Sequence, residues 1–214
     1  MTDTIASDVL VDWIDRFGGA VTEQRDWLTE LDSAIGDADH GANMARGMTA
    51  VAERLRAGAP ATADDLLKTV GMTLVSSVGG ASGPLYGTFF LRMAASAGPV
   101  TELDADGLAA ALRAGFDGVV ARGKAEAGDK TMYDAMAPAV DALDAAIAAA
   151  QDLPTAVRAA ADAAAAGRDA TEPLVARKGR ASYLGERSAG HLDPGAASAA
   201  ILFDTLAAAI ADRS

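Results

Sequence analysis

The sequence predicts an all-α protein built from eight antiparallel helices. Three observations carry this reading. Apolar residues recur at three- and four-residue steps along most of the chain. Alanine is abundant and β-branched residues are few outside short patches, which favours helix by intrinsic preference. Glycine and proline breaks then divide the pattern into eight segments joined by short connections, so sequential helices become antiparallel neighbours. A length of 214 residues suits one domain covering residues 1–214.

The first helix is expected from Ile5 to Leu31, with Val9, Leu10, Trp13, Ile14, Phe17, Val21 and Leu28 on one stripe and a kink or close contact at Gly18–Gly19. The second runs from Asn43 to Arg56, where Asn43 is placed to cap it and Gly58 and Pro60 end it. Thr62 and Asp65 have capping-box spacing for the third helix, which stops at Gly79–Gly80. A fourth contains Leu85, Phe89, Phe90 and Met93 and breaks at Gly98–Pro99. The fifth spans about Asp104 to Arg122, and the turn GKAEAGDKTM after it reads as exposed. The sixth runs from about Met132 through Ala149, carrying Pro138. Asp152 and Pro154 open the seventh, drawn to about Ala176. Residues 176–191 form a long ordered loop of lid-like character. Asp193–Pro194 then starts the last helix, cap followed by proline. No segment reads as a convincing strand.

Composition removes several function classes. The net charge of −12 disfavours nucleic acid and acidic membranes as partners. With no cysteine, disulfides, thiolate chemistry and Cys-ligated zinc are excluded. The stretch MTDTIASDVL has neither a basic n-region nor a continuous apolar run, so no secretory leader is expected, and no uninterrupted apolar run is long enough to span a bilayer. The expectation is a cytoplasmic protein.

The chemistry concentrates in LDSAIGDADHGANMAR, from Leu31 to Arg46. Asp32, Asp37 and Asp39 crowd like charges into a glycine-containing turn, which suggests a hard divalent cation held by oxygen, most simply Mg²⁺. A solvated acidic turn with an aspartate cap is the plainer account. The following helix would aim free N–H groups at an anion above it. His40 suits either a phosphate contact or a structural role, and Asn43 either a cap or a ligand contact. The turn Gly79–Gly83 lets backbone amides approach a ligand, with Ser82 as an added donor, though it lacks a P-loop ending. Lys130, Arg177, Lys178, Arg180 and Arg187 are basic groups in an acidic chain, suited to phosphate, a partner or solvent. Asp193 is a helix cap that could also orient a ligand hydroxyl. In an up-and-down arrangement, alternate turns share one end, which would gather Asp37, Ser82, Lys130 and Arg180 at one rim. The serines have no evident His or Lys partner, so no nucleophile is expected. Electrostatic support of phosphoryl transfer suits these residues better than a covalent intermediate.

Four stretches carry a resemblance: ELDSAIGDADHGANM, GGASGPLYGT, GDKTMYDAMAPAVDAL and GRASYLGERSAGHLDPGA. In this order they resemble the nucleotide-binding L subunits of phosphotransferase-system-dependent dihydroxyacetone kinases, a domain that also forms the C-terminal half of ATP-dependent dihydroxyacetone kinases. The resemblance implies an eight-helix antiparallel barrel with ADP or ATP and two Mg²⁺ ions at one end. It implies Asp32, Asp37 and Asp39 as metal ligands. His40, Asn43, Gly80, Ser82 and Arg180 would surround phosphates or nucleoside, with His40 and Arg180 positioning phosphate and Met132 near adenine. It further implies that a phosphohistidine donor, the M-type subunit, recharges bound ADP. The γ-phosphoryl group would then pass to dihydroxyacetone on a K-type subunit, where a histidine holds the ketose as a hemiaminal. The chain alone would therefore bind nucleotide and metal without phosphorylating dihydroxyacetone. Related readings are another small sugar or ketose as acceptor, recharge by free ATP, or a noncatalytic nucleotide-responsive module on a transcription regulator. Ala38 stands where this family is expected to have glycine; a positive φ there would strain the backbone.

Overall fold

The computed structural model describes residues 4–58 and 60–213. Met1–Asp3, part of the stretch tested for a leader, lie outside the described residues. The chain folds in order as β1 (Thr4–Ala6), α1 (Ser7–Glu23), α2 (Arg25–Ile35), α3 (His40–Ala57), α4 (Ala63–Ser77), α5 (Ser82–Ala97), β2 (Glu102–Asp104), α6 (Ala105–Gly123), α7 (Tyr133–Ala148), α8 (Leu153–Ala170), a 3₁₀ segment (Arg180–Ser188) and α9 (Pro194–Ala211). The all-α class holds. Among the described residues there are nine α-helices rather than eight, because the first predicted helix is two. The chain passes straight through Gly18 and Gly19 and breaks instead at Gln24, whose φ of −92° and ψ of 13° leave the helical region. Stripe periodicity could not show this break, because Leu28 continues the buried face beyond it.

α3 through α9 each pack on the next helix in sequence, α9 returns to α1, and α1 closes on α3. That is a closed ring of eight, with α2 lying across one end against α3 and α9. Trp13 ties the closure: its indole N–H donates to the Leu202 carbonyl at 2.9 Å. One hydrophobic cluster draws residues from every helix and includes Trp13, Phe17, Tyr86, Phe89, Phe90 and Phe203 beside many alanines. Thin alanine layers let the helices approach closely. One such seam joins α4 and α5, where a Cβ on Gly87 would stand 2.3 Å from Val75 Cγ2 and 3.0 Å from the Gly71 carbonyl.

Other expectations needed correction. Among the described residues two three-residue strands pair antiparallel, with Ile5 opposite Leu103; they are too short to show a period. α3 starts at His40, so Asn43 lies inside its first turns and is not the cap. Thr62 makes no capping bond and donates to the Asp64 carboxylate instead, so the box with Asp65 does not form. α8 ends at Ala170, six residues early, because the chain turns at Thr171 to enter the loop. The turn before α7 is not an exposed loop: Asp129 and Lys130 are buried in it. α9 is, by length and composition, apolar enough to cross a membrane, but 78% of it is buried inside the ring, so its hydropathy is that of a core helix. The caps at Asp152 and Asp193 form as read, each accepting an amide of its helix's first turn.

We expect Gly87→Ala to destabilise the protein by about 1–3 kcal/mol, since the added methyl overpacks the α4–α5 seam. Urea unfolding followed by circular dichroism checks this, with Gly19→Ala, where a Cβ meets nothing within 4 Å, as the control.

Candidate functional site

Alternation along the ring brings the turns before α3, α5, α7 and α9 to one rim, around a cavity of about 440 Å³. Asp37, Ser82, Lys130 and Arg180 all line it. So do Asp32, Asp39, His40, Gly80, Met132 and Asp193. An apolar wall of Pro84, Leu85, Val119, Val120 and Met132 completes it. The wall went unread in the sequence because Val119 and Leu85 sit on ordinary amphipathic stripes. Periodicity marks such residues as buried but cannot separate a core face from a cavity face.

The acidic turn is built on Asp32, in the last turn of α2. Its Oδ2 accepts the amides of Asp39 at 2.8 Å and His40 at 3.1 Å, so Asp32 caps α3 from the neighbouring helix. Gly36 is required beside it, since a Cβ there would stand 2.0 Å from Asp32 Oδ1. Asp32, Asp37 and Asp39 each offer a carboxylate oxygen, and these three atoms lie within 4.8 Å of one another. Oxygens on one Mg²⁺ at about 2.1 Å lie up to about 4.2 Å apart. The set therefore fits a hard cation after a small side-chain rotation. Asp37 is the outer member and pairs with Arg180 Nη2 at 3.0 Å. Ala38, between the second and third carboxylates, has φ of 61°, the left-handed conformation that glycine would adopt without strain.

His40 is buried, with both ring nitrogens engaged. Nε2 lies 2.9 Å from Ser198 Oγ and Nδ1 lies 3.1 Å from Ser82 Oγ, while Ser198 also meets the Tyr86 hydroxyl at 2.8 Å. This corrects the expectation that the serines have no histidine partner; residues 42 and 158 positions apart meet only through the ring closure. Desolvation holds the imidazole below its ordinary pKa, against the pull of Asp32 and Asp39. No carboxylate bonds to the ring, so the pair lacks the oriented base that a serine nucleophile needs. Asn43 lies outside the cavity lining; its side chain packs under Gly79 and accepts from Arg46 at 2.7 Å.

The first-turn amides of the four helices that begin at the rim are served unequally. Asp32 takes those of α3, the Thr131 hydroxyl takes that of Tyr133 at 3.1 Å in α7, and Asp193 takes that of Ala196 at 2.7 Å in α9. α5 alone has no side-chain cap, and Gly80, with φ of 65°, opens the approach to it. An uncapped helix N-terminus facing a cavity is an anion seat. The turn before α7 depends on Asp134, which accepts the amides of Gly128 at 2.6 Å and Thr131 at 3.0 Å. That role was missed, although Thr131-x-x-Asp134 carries the capping-box spacing that would have found it. Lys130 is not available to neutralise a ligand: its ammonium is enclosed by backbone carbonyls. Burial pushes the Asp193 carboxyl up to about 7, opposed by the bond from the Ala196 amide.

Fold and cavity together define an all-α barrel with a polar cavity at the rim where alternate helices begin. A family model described as the DAK2 domain matches residues 34–208, and the chain belongs to that family. It is 48% identical over 200 residues to the ADP-binding subunit DhaL of the Escherichia coli PEP-dependent dihydroxyacetone kinase, covering 94% of this chain and 95% of that one. It is 47% identical over 203 residues to the corresponding ADP-binding subunit of kinase 1 from Listeria innocua, covering 95% of this chain and 96% of that one. The crystal structure of the C. freundii dihydroxyacetone kinase in complex with AMP-PNP and Mg²⁺ superposes with a TM-score of 0.72 at 27% identity. That match takes 97% of this chain but only 35% of the larger one.

Ala38→Gly should raise stability by about 1 kcal/mol by relieving a left-handed non-glycine residue, read as a shift in urea midpoint. Asp193 holds its proton better folded than unfolded. Its contribution is therefore fully present below the ordinary carboxyl value of 3.8 and is lost as pH rises through about 7. Asp193→Asn keeps an acceptor for Ala196 but cannot ionise. Its unfolding free energy relative to the parent should climb between those pH values and stay level below them.

Proposed function

We propose that this chain is the ADP-binding subunit of a PEP-dependent dihydroxyacetone kinase, with residues 1–214 forming one nucleotide-binding domain. The observation that carries this reading is the uncapped first turn of α5, facing across one cavity three carboxylates whose oxygens cluster within 4.8 Å. Anion seat and cation seat side by side suit a nucleoside diphosphate bridged by metal. Asp32, Asp37 and Asp39 hold two Mg²⁺ ions, which supply charge neutralisation to the phosphates when bound. Gly80, Ser82, His40 and Arg180 contact phosphate. Met132, Leu85, Val119 and Val120 enclose the base, and Asp193 orients a ribose hydroxyl. Asn43 acts from beneath, by fixing Gly79.

The chain's own contribution is electrostatic. His40, neutral and fixed between two serines, offers a hydrogen bond and no base for a nucleophile. Arg180 supplies an exposed positive charge, with 68% of its side chain open to solvent. Bound ADP accepts a phosphoryl group from the phosphohistidine of an M-type subunit, and the resulting ATP donates it to dihydroxyacetone on a K-type subunit. The relatives' description as subunits supports this division of labour. The place of action is the cytoplasm.

Nondenaturing mass analysis should find ADP and magnesium on the purified chain, and Asp37→Asn should weaken Mg²⁺-dependent ADP retention at least roughly tenfold. Retention unchanged in that variant, or after complete chelation, would overturn the metal assignment. Reconstitution with a K-type subunit, a phosphohistidine donor and phosphoenolpyruvate should yield dihydroxyacetone phosphate, and the chain alone should yield none. Tight nucleotide binding without turnover in that mixture would favour a different ketose or a noncatalytic module.

A further inference from the structure

We propose that Lys130 is a positioning residue: its buried ammonium staples the strap of residues 171–193 to the turn before α7, and so holds Arg180 over the cavity. The residue is only 1% exposed. Nζ lies 3.3 Å from the carbonyl of Glu172, 3.0 Å from that of Leu174, 2.7 Å from that of Ser188 and 2.5 Å from that of His191. Two of these carbonyls belong to the outgoing arm of the strap and two to the returning arm. An ammonium has three protons, so four acceptors share them and the longest contact is the weakest. The backbone of Lys130 adopts φ of 63°, which sets the residue in an unusual left-handed turn. None of the described ion pairs includes it; four carbonyl dipoles surround its charge, and the carboxylates of Asp193 and Glu172 attract it from beyond ion-pair distance.

No other side chain from outside the strap bonds to both of its arms among the described hydrogen bonds. Beside the ammonium, the ties that join the strap's arms or fix it to the turn are Gly190 N–H to the Glu172 carbonyl at 2.8 Å, Arg177 N–H to the Asp129 carbonyl at 3.1 Å, Ala176 N–H to Ser188 Oγ at 2.9 Å and Asp193 N–H to Thr171 Oγ1 at 3.0 Å. Ala176, Ala181 and Leu184 form a small apolar cluster with Ile35 of α2, apart from the main core. At the crest of this strap Arg180 meets Asp37. A neutral side chain at position 130 would leave the buried Ser188 carbonyl and the part-buried carbonyls of Leu174 and His191 without this donor, and the arms would part to reach water. The α-helical ring would stay closed, because Lys130 lies in a turn outside it. Only the final link, from Arg180 to nucleotide, rests on the function proposed above.

Lys130→Met should keep the helical circular dichroism of the parent. Trypsin cleavage within the strap, at Arg177, Lys178, Arg180 and Arg187, should quicken roughly tenfold to hundredfold, and ADP dissociation should accelerate with it. In Lys130→Ala, propylammonium restores the missing methylenes and charge, so strap protection should return with it and not with propanol. Arg180→Ala should speed ADP loss while leaving the strap protected at its other sites. Hydrogen exchange of the unaltered protein should find the amides of Ala176, Arg177 and Gly190 as protected as those of α8, whether or not either Lys130 variant folds. Strap cleavage unchanged in Lys130→Met, rescue by propanol as well as by propylammonium, or loop-like exchange at those three amides would overturn the staple. A parent protein that fails to hold ADP would count against the function alone, since cleavage and exchange do not depend on nucleotide.

Discussion

The rim of this protein depends on one buried carboxylate. Asp32 belongs to α2 but completes the first turn of α3, taking two amides that would otherwise lack acceptors. Charge-assisted bonds of this kind are stronger than neutral ones, and a helix N-terminus favours the negative charge that makes them. The same bonds fix the angle between two consecutive helices and the course of the turn joining them. Asp37 and Asp39 are then presented beside Asp32. A residue that looks like a ligand is also the residue that shapes the site, and Gly36 has no side chain because Asp32 occupies that space.

Small side chains make the rest possible. The ring closes because alanine and glycine on facing helices let backbones draw near, while a few large groups, Trp13, Phe17, Phe89 and Phe90, fill the wider interior. Hydrophobic burial of this kind is non-directional. Direction comes from individual polar ties such as the Trp13 indole to Leu202 and the chain Tyr86–Ser198–His40–Ser82. That chain spans from the core to the cavity and links α5, α9 and the start of α3. Among the described residues every buried side-chain nitrogen and oxygen has a partner. The cavity's chemistry therefore rests on a fully bonded support.

Against this rigid floor, the cover of the cavity is a different kind of structure. The strap between α8 and α9 has short-range bonds of its own, several basic side chains, and an ammonium reaching into it from another turn. Its exposed guanidinium pairs with the outermost carboxylate of the rim. An acidic chain thus keeps a cationic group beside the place where its negative charge is densest. The arrangement lowers the cost of three neighbouring aspartates, and it leaves that guanidinium within reach of an anion entering the cavity.

The sequence by itself determined the helices, the caps at Asp152 and Asp193, and most of the residues at the rim. Each of these is local: a stripe at helical spacing, an aspartate before a proline, a cluster of acids within one turn. It also determined that alternate turns share an end, which follows from short connections alone. What it could not supply was anything whose partner lies far along the chain. The break at Gln24 hides in an unbroken stripe, Asn43 looks like a cap until Asp39 and Asp32 take that role, and Lys130 looks exposed until residues 172–191 fold over it. His40 meets Ser82 and Ser198 only when the ring closes. Tertiary structure decided these because burial, and not residue type, fixes whether a polar group answers to solvent, to a ligand or to the backbone of a distant segment.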